Sequence, residues 1–312
     1  MLRNVTLRIP EALEGQRLDR VVLVAVPTVS RSAVAQAFSD QGVTIDGHPA
    51  AKGDRATAGT DLHIGSLPER TDERAQPAAG PLDILYQDSE LLAFNKPGGQ
   101  DCHPLTPGET GTLVNAMLAR YPEMAGVGGD PMTPALLHRI DAGTSGLVLA
   151  ARTQPAFETV RKQFAAQEVT KTYLALVEGR VDSPGGVAGF LAHTPGDRGR
   201  MRVVTLLTAP KGERPLRAET FFRPVRTLTT HTLLEITIRT GVTHQIRCQL
   251  ASIGHPIHGD RVYGARGIFP ENPRRHFLHS AAASLLHPAT EQPLELHAAL
   301  SDDLVRCLRS LE

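Results

Sequence analysis

Cysteine is scarce in this chain: Cys102, Cys248 and Cys307 stand far apart, odd in number and outside any paired ligand spacing. That pattern excludes a disulfide framework or a zinc knuckle and predicts buried, reduced thiols. Long apolar runs are also missing. No stretch reaches the roughly 18 apolar residues that a membrane span requires, and Met1–Thr6 lacks the apolar stretch of a secretory signal. The expectation is a cytoplasmic protein with no membrane partner. Net charge is absent too, with 33 Lys and Arg against 33 Asp and Glu, which argues against strong sequence-independent binding to a polyanion.

That neutrality is unevenly built. Residues 1–66 carry 7 basic and 7 acidic side chains, residues 67–137 carry 4 and 10, and residues 138–312 carry 22 and 16. The basic final part is compatible with a nucleic-acid face. With 312 residues and 41% hydrophobic content, the chain can fill one large core or two unequal ones.

The stretch SLPERTDERAQPAAGP, Ser66–Pro81, has no apolar periodicity and reads as a linker, so residues 1–66 form one module, 67–81 a linker and 82–312 a larger domain. In the module, Leu18–Val26 and Ser30–Ser39 read as short helices, with Ser30 available as N-cap. Val43–Ile45 and Leu62–Ile64 alternate as strands around the Asp46-Gly47 turn signal. In the larger domain, Leu82–Leu85 and Glu90–Asn95 read as paired strands that stop at Lys96-Pro97-Gly98-Gly99. Pro155–Gln167 reads as an amphipathic helix capped by Thr153. Thr172–Val177 and Leu233–Thr240 read as strands. His244–Ile253 reads as a helix stopped by Gly254 that aims Arg247 away from its apolar face. The fold class expected is α+β: a mixed, mostly antiparallel sheet with a central cleft, preceded by a small α/β module.

One segment concentrates reactive groups. In His138-Arg139-Ile140-Asp141-Ala142-Gly143-Thr144-Ser145-Gly146, a single carboxylate follows a His-Arg pair and precedes a glycine-bounded turn. An Asp held there, partly desolvated beside a guanidinium, suits a nucleophile or base. Taken alone, Asp141 reads first as a cap of the following turn, and only the rest of the chain overturns that reading. His255-Pro256-Ile257-His258-Gly259-Asp260 places two histidines near a carboxylate, but Pro256 prevents a helix from presenting both, and no further cluster has ligand spacing. No metal is expected, and the stretch reads as pocket wall.

Four stretches, NKPGGQDCHP (95–104), LLHRIDAGTSGLVLAAR (136–152), KTYLALVEG (171–179) and TGVTHQIRCQLASIGHPIHGDRVYG (240–264), together resemble the RluA/RluD family of pseudouridine synthases. The opening residues Gly15–Asp19, Ser30–Ser32 and Gly42–Gly47 look like the small RNA-binding module shared with ribosomal protein S-four. The resemblance implies an isomerase that turns uridine into pseudouridine without a cofactor, acting as a monomer on RNA, foremost large-subunit ribosomal RNA. It implies Asp141 as the catalytic aspartate, Arg247 as its ion-pair partner and Tyr173 as the aromatic group near the uracil. It also implies Arg139 as the wedge that fills the place of a flipped base. His138 is expected to support the loop, and Lys96 to contact phosphate or brace it. Thr144, His244 and Gln245 fall in the matching motifs as substrate contacts, while Arg17 and Arg31 are candidate RNA contacts in the module.

The match departs from the family at two basic positions: Val242 stands where Gly-Arg-Thr-His-Gln is usual, and Ala282 lies where an arginine is expected. Those losses motivate a second reading, an RNA-binding or ribosome-assembly factor with weak turnover, alongside a synthase directed at transfer RNA. A small-molecule hydrolase using Asp141 ranks last, because it leaves the leading module unexplained.

Overall fold

A computed structural model describes every residue except 1, 27–28, 30, 41, 69–73, 206–207, 209–214, 270–271 and 312. The chain forms two compact units, residues 1–76 with 105–109, and residues 77–104 with 110–312.

The first unit contains β1 (Leu2–Arg8), α1 (Leu18–Ala25), α2 (Arg31–Ser39), β2 (Val43–Ile45), β3 (His48–Pro49) and β4 (Asp61–Pro68), with an antiparallel sheet ordered β1-β4-β2-β3. Leu18, Val21 and Val22 on α1 repeat at helical spacing and meet Val34 and Phe38 of α2 over Val43, Leu62 and Ile64. Three expectations change here. Asp46-Gly47 joins β2 to the two-residue β3, while Leu62–Ile64 belongs to β4 and pairs with β2 on its other side, Val43 opposite Ile64. The assigned linker begins inside β4, which runs to Pro68. The strand β1 went unread although Val5 and Leu7 alternate with Asn4, Thr6 and Arg8 at the period of a half-buried strand. The proposed N-cap Ser30 and the side chain of Arg31 lie outside the described residues.

The second unit runs β5 (Ile84–Gln87), β6 (Leu91–Lys96), α3 (Leu113–Arg120), β7 (Ser145–Ala151), α4 (Gln154–Ala165), β8 (Thr170–Glu178), β9 (Gly185–Thr194), β10 (Asp197–Val204), β11 (Leu216–Thr227), β12 (His231–Ile238), α5 (Gln245–Ser252), β13 (Leu278–Leu286), β14 (Pro293–His297) and α6 (Asp302–Ser310). One sheet orders them β10-β9-β11-β12-β8-β13-β7-β6-β5, with β14 on β13. The β13–β7 pair is parallel and the other described pairs are antiparallel. This is the mixed, mostly antiparallel sheet anticipated.

Every residue of β7 is buried, so the strand reads as an unbroken apolar run. The helix α4 uses the Thr153 cap, whose Oγ1 accepts from the Ala156 N–H at 3.2 Å. Gln163 then ties it to β13 through paired 2.9 Å bonds with the backbone of Leu286. The helix α3 was missed because it is buried almost all round and shows no polar face. No helix among the described residues is long and apolar enough to cross a membrane. The thiols are free, and Cys307 is half-buried where a buried thiol was expected.

Candidate active site

Asp141 occupies a tight loop that enters β7. The Leu137 N–H bonds the Leu149 carbonyl at 3.0 Å, and the Thr144 N–H returns to the Asp141 carbonyl at 3.0 Å. Two glycines make this course available. A Cβ on Gly143 would stand 2.1 Å from the Arg274 carbonyl oxygen, and one on Gly146, at φ +103°, would stand 2.2 Å from that of Ser280. The loop therefore lies directly against the 274–280 segment.

Buried cations hold the loop through its carbonyls. Lys96, with no exposed surface, donates to the carbonyls of Pro97, Gln100 and Ala142 at 2.9, 2.7 and 3.2 Å. Burial lowers its pKa to about 8. Arg275 donates Nη1 to the Gly143 carbonyl at 2.6 Å, Nη2 to Ser145 Oγ at 2.8 Å and Nε to Asp303 at 2.6 Å. Thr144 Oγ1 meets His276 Nε2 at 2.9 Å, and burial keeps that imidazole neutral. The side chain of Asp141 stays 23% exposed.

Arg247 reaches it from α5. Its Nη1 donates to Asp141 Oδ2 at 2.9 Å, while Nε and Nη2 donate to the two oxygens of Asp260 at 2.6 and 2.9 Å. Burial works against the guanidinium charge, and the two carboxylates more than offset it, so its pKa rises above the ordinary value. Gln245 through Leu250 are all buried, so Arg247 is enclosed within the protein on a helix that is covered all round. Tyr263 lies beneath the guanidinium, 5.3 Å from ring centroid to Cζ, and its hydroxyl meets His244 Nδ1 at 3.0 Å. His244, in a left-handed conformation at φ 55°, caps α5 and brings Nε2 to 4.0 Å from Asp141 Oδ2. Burial lowers its pKa, outweighing the pull of Asp141.

Tyr173 stands on β8 opposite Ser280 of β13. Burial, with a smaller contribution from Asp141, raises its pKa and keeps the phenol protonated. Beyond the loop, a cleft of about 800 Å³ is lined by Arg139, Arg161, Lys171, Arg217 and Arg239 against the single carboxylate Asp130. Arg139 is exposed at its edge, with Nη1 3.4 Å from His103 Nε2.

The structure thus brings Asp141, Arg247 and His244 together, with Tyr173 within electrostatic range and Arg139 on the adjoining rim. Other candidates are placed differently. Lys96 braces the loop from inside and has no surface to offer a phosphate. Thr144 is buried against His276. Gln245 is consumed internally, accepting from Thr240 Oγ1 and the Val242 N–H and donating to the Glu219 carbonyl and Thr220 Oγ1. His138 Nε2 accepts the Leu149 N–H at 3.1 Å, and burial holds its pKa down to about 3, which suits a loop support. Arg17 is exposed and paired with Asp19. The sequence reading missed Asp260, Arg275 and Tyr263. Asp260 lay in the stretch read as pocket wall, and Arg275 sat in no motif. Val242 packs beside Leu191, Met201, Cys248 and Tyr263, and Ala282 is buried in β13, so both positions that lack arginine serve packing.

Comparison with known proteins gives a consistent picture. The family model described as RNA pseudouridylate synthase matches residues 90–252. The ribosomal large subunit pseudouridine synthase D of Yersinia pestis is 32% identical over 315 residues, covering 97% of this chain and 93% of that protein. A protein of Chloroflexus aurantiacus named as an uncharacterized RNA pseudouridine synthase is 37% identical over 304 residues, covering 97% and 92%. The solved structure of human RNA pseudouridylate synthase domain containing 4 shares the fold, with a TM-score of 0.57 and 23% identity over 73% of this chain and 92% of that one.

Proposed function

Because the chain belongs to the RNA pseudouridylate synthase family, we propose that Asp141 is its catalytic carboxylate and that large-subunit ribosomal RNA supplies the uridine. The observation that carries the first part is the 2.9 Å bond from a buried, doubly anchored Arg247 to one oxygen of a partly open carboxylate. Support for the second part is the near full-length match to relatives named for the large ribosomal subunit.

The isomerisation breaks the bond from the ribose C1′ to N1 of uracil and forms one from C1′ to C5. The proton lost from C5 balances the one gained at N1. Asp141 acts at the sugar, either attacking C1′ or removing the 2′ proton. Its Oδ2 takes the Arg247 bond, and its Oδ1 has no partner among the described residues. Arg247 fixes the angle at which that second oxygen faces the ribose. Tyr173, held protonated, supplies a polar edge to the detached uracil and helps retain it. Extruding a base costs a few kcal/mol, and the Arg139 guanidinium at the rim fills the gap and stacks on the neighbours left behind. The cationic cleft beside it carries the flanking phosphates.

The test is mapping of pseudouridine in ribosomal RNA from cells with and without the gene, followed by purified wild type and Asp141→Asn on the RNA segment that loses the modification. The expected result is one or more large-subunit sites restored by wild type and untouched by Asp141→Asn, which still binds the RNA. An unchanged ribosomal map overturns the substrate assignment, and turnover by Asp141→Asn overturns the catalytic one.

A further inference from the structure

Away from Asp141, two imidazole nitrogens face each other across the sheet. Glu178 ends β8 and His231 begins β12, and the two are cross-strand partners. His258 comes from the segment after α5, and its backbone is pinned on both sides. Its N–H bonds the Leu176 carbonyl at 2.8 Å, and its carbonyl accepts the Phe277 N–H at 2.8 Å. His231 Nε2 lies 3.1 Å from His258 Nδ1. One candidate ligand atom from each of Glu178, His231 and His258 lies within 4.8 Å of the others.

We propose that Glu178, His231 and His258 bind a divalent cation of the zinc class, with solvent completing a tetrahedral site. A tetrahedral zinc ion about 2.05 Å from its nitrogen ligands holds them about 3.3 Å apart, close to the separation seen between the two rings. The outer contacts also suit ligands. His231 Nδ1 pairs with Thr230 Oγ1 at 2.8 Å, and donation through it leaves the lone pair on Nε2, toward the site. Glu178 Oε1 is fixed by the N–H groups of Arg266 and Gly267 at 2.6 and 2.8 Å. Gly267 packs its backbone closely against the His258 ring, where a Cβ would stand 2.2 Å from Nδ1. Phe269 packs edge-on against the other side of the ring, 5.5 Å between centroids, and walls the site with apolar surface.

Without the ion, one imidazole donates an N–H to the other. Binding moves that proton to the far nitrogen of the same ring, so both facing nitrogens present lone pairs and no net proton is released. His258 stands two residues before Asp260, the anchor of Arg247, so a cation there fastens this segment to the ends of β8 and β12. The site stands independently of the substrate reading above.

The test uses the full-length protein stripped with chelator and titrated with zinc and with cobalt. One equivalent is expected to bind, with the visible absorption of tetrahedral cobalt. At a hundredfold excess over Kd, melting should rise by about 5–10 °C. His231→Gln, at the rim of the sheet, keeps the fold by circular dichroism and should lose binding at least tenfold, as should Glu178→Gln. Absence of saturable binding in the wild type, or binding unchanged in both variants, overturns the site and leaves a plain imidazole hydrogen bond.

Discussion

Asp260 takes two of the N–H groups of Arg247 and leaves Nη1 for Asp141. The guanidinium is therefore held as a rigid plate and presents only its last donor edge to the candidate catalytic carboxylate. With a side chain 1% exposed, Asp260 meets no substrate and works through Arg247. Asp260→Asn should lower kcat by at least tenfold with little change in KM. Breaking one partner from a buried pair costs about 3 kcal/mol, which chemical denaturation would read as a lower midpoint. Wild-type kcat in a destabilised Asp260→Asn would show that Asp260 serves folding alone.

Arg275 is the second buried cation whose loss is informative. It satisfies the Gly143 carbonyl and Ser145 Oγ while pairing with Asp303, which stays 38% exposed. In Arg275→Met, Asp303 can still reach water and Ser145 Oγ keeps its 2.9 Å bond with His279 Nδ1, whereas the buried Gly143 carbonyl loses its donor, at about 1–3 kcal/mol. The expected result is a melting point lowered by several degrees together with weaker turnover, because the loop that carries Asp141 loses a clamp. Full stability in Arg275→Met would refute the clamp.

Much of this site was legible in the sequence where reactivity and local structure share one short segment. The Asp141 loop, the capped helix α4 and the alternating strand β12 carried their signals in consecutive residues. Arg275 did not, because it owes its role to distant segments, Gly143 being 132 positions away, and Asp260, 13 residues after Arg247, has a role that shows only once the turn after α5 folds it back onto that guanidinium. Burial also inverted several expectations. A lysine, a threonine and a glutamine in matching motifs look like ligands for RNA, yet Lys96, Thr144 and Gln245 spend every polar bond inside the protein. The cluster around His258 was unreadable for the same reason, since Glu178 and His231 come from separate strands.

Lys171 gives a pH prediction with a definite sign. It is buried, its Nζ donates to the Thr240 carbonyl at 2.9 Å, and burial lowers its pKa to about 8 from 10.5. Between those values the unfolded chain holds the proton and the folded chain has released it. Stability from this group is therefore complete above 10.5 and falls as pH drops through about 8. The stability of wild type minus that of Lys171→Met should rise from pH 8 to 10.5 in parallel denaturation series. A difference that is flat across that window would mean the lysine keeps its ordinary affinity for the proton.

Arg139 separates binding from base extrusion. Its side chain is exposed at the edge of the cationic cleft and meets His103 only at 3.4 Å, so removing it leaves the packed loop intact. The cost it offsets, unstacking a nucleotide, is large in a folded stem-loop and small in a loosened strand. Arg139→Ala should therefore lower turnover on structured RNA by at least tenfold and on a destabilised strand of the same sequence by much less. Salt dependence gives the control, because a mere phosphate contact would weaken both substrates alike and flatten the slope of affinity against salt. Equal losses on the two RNAs would reduce Arg139 to one more cation on the cleft.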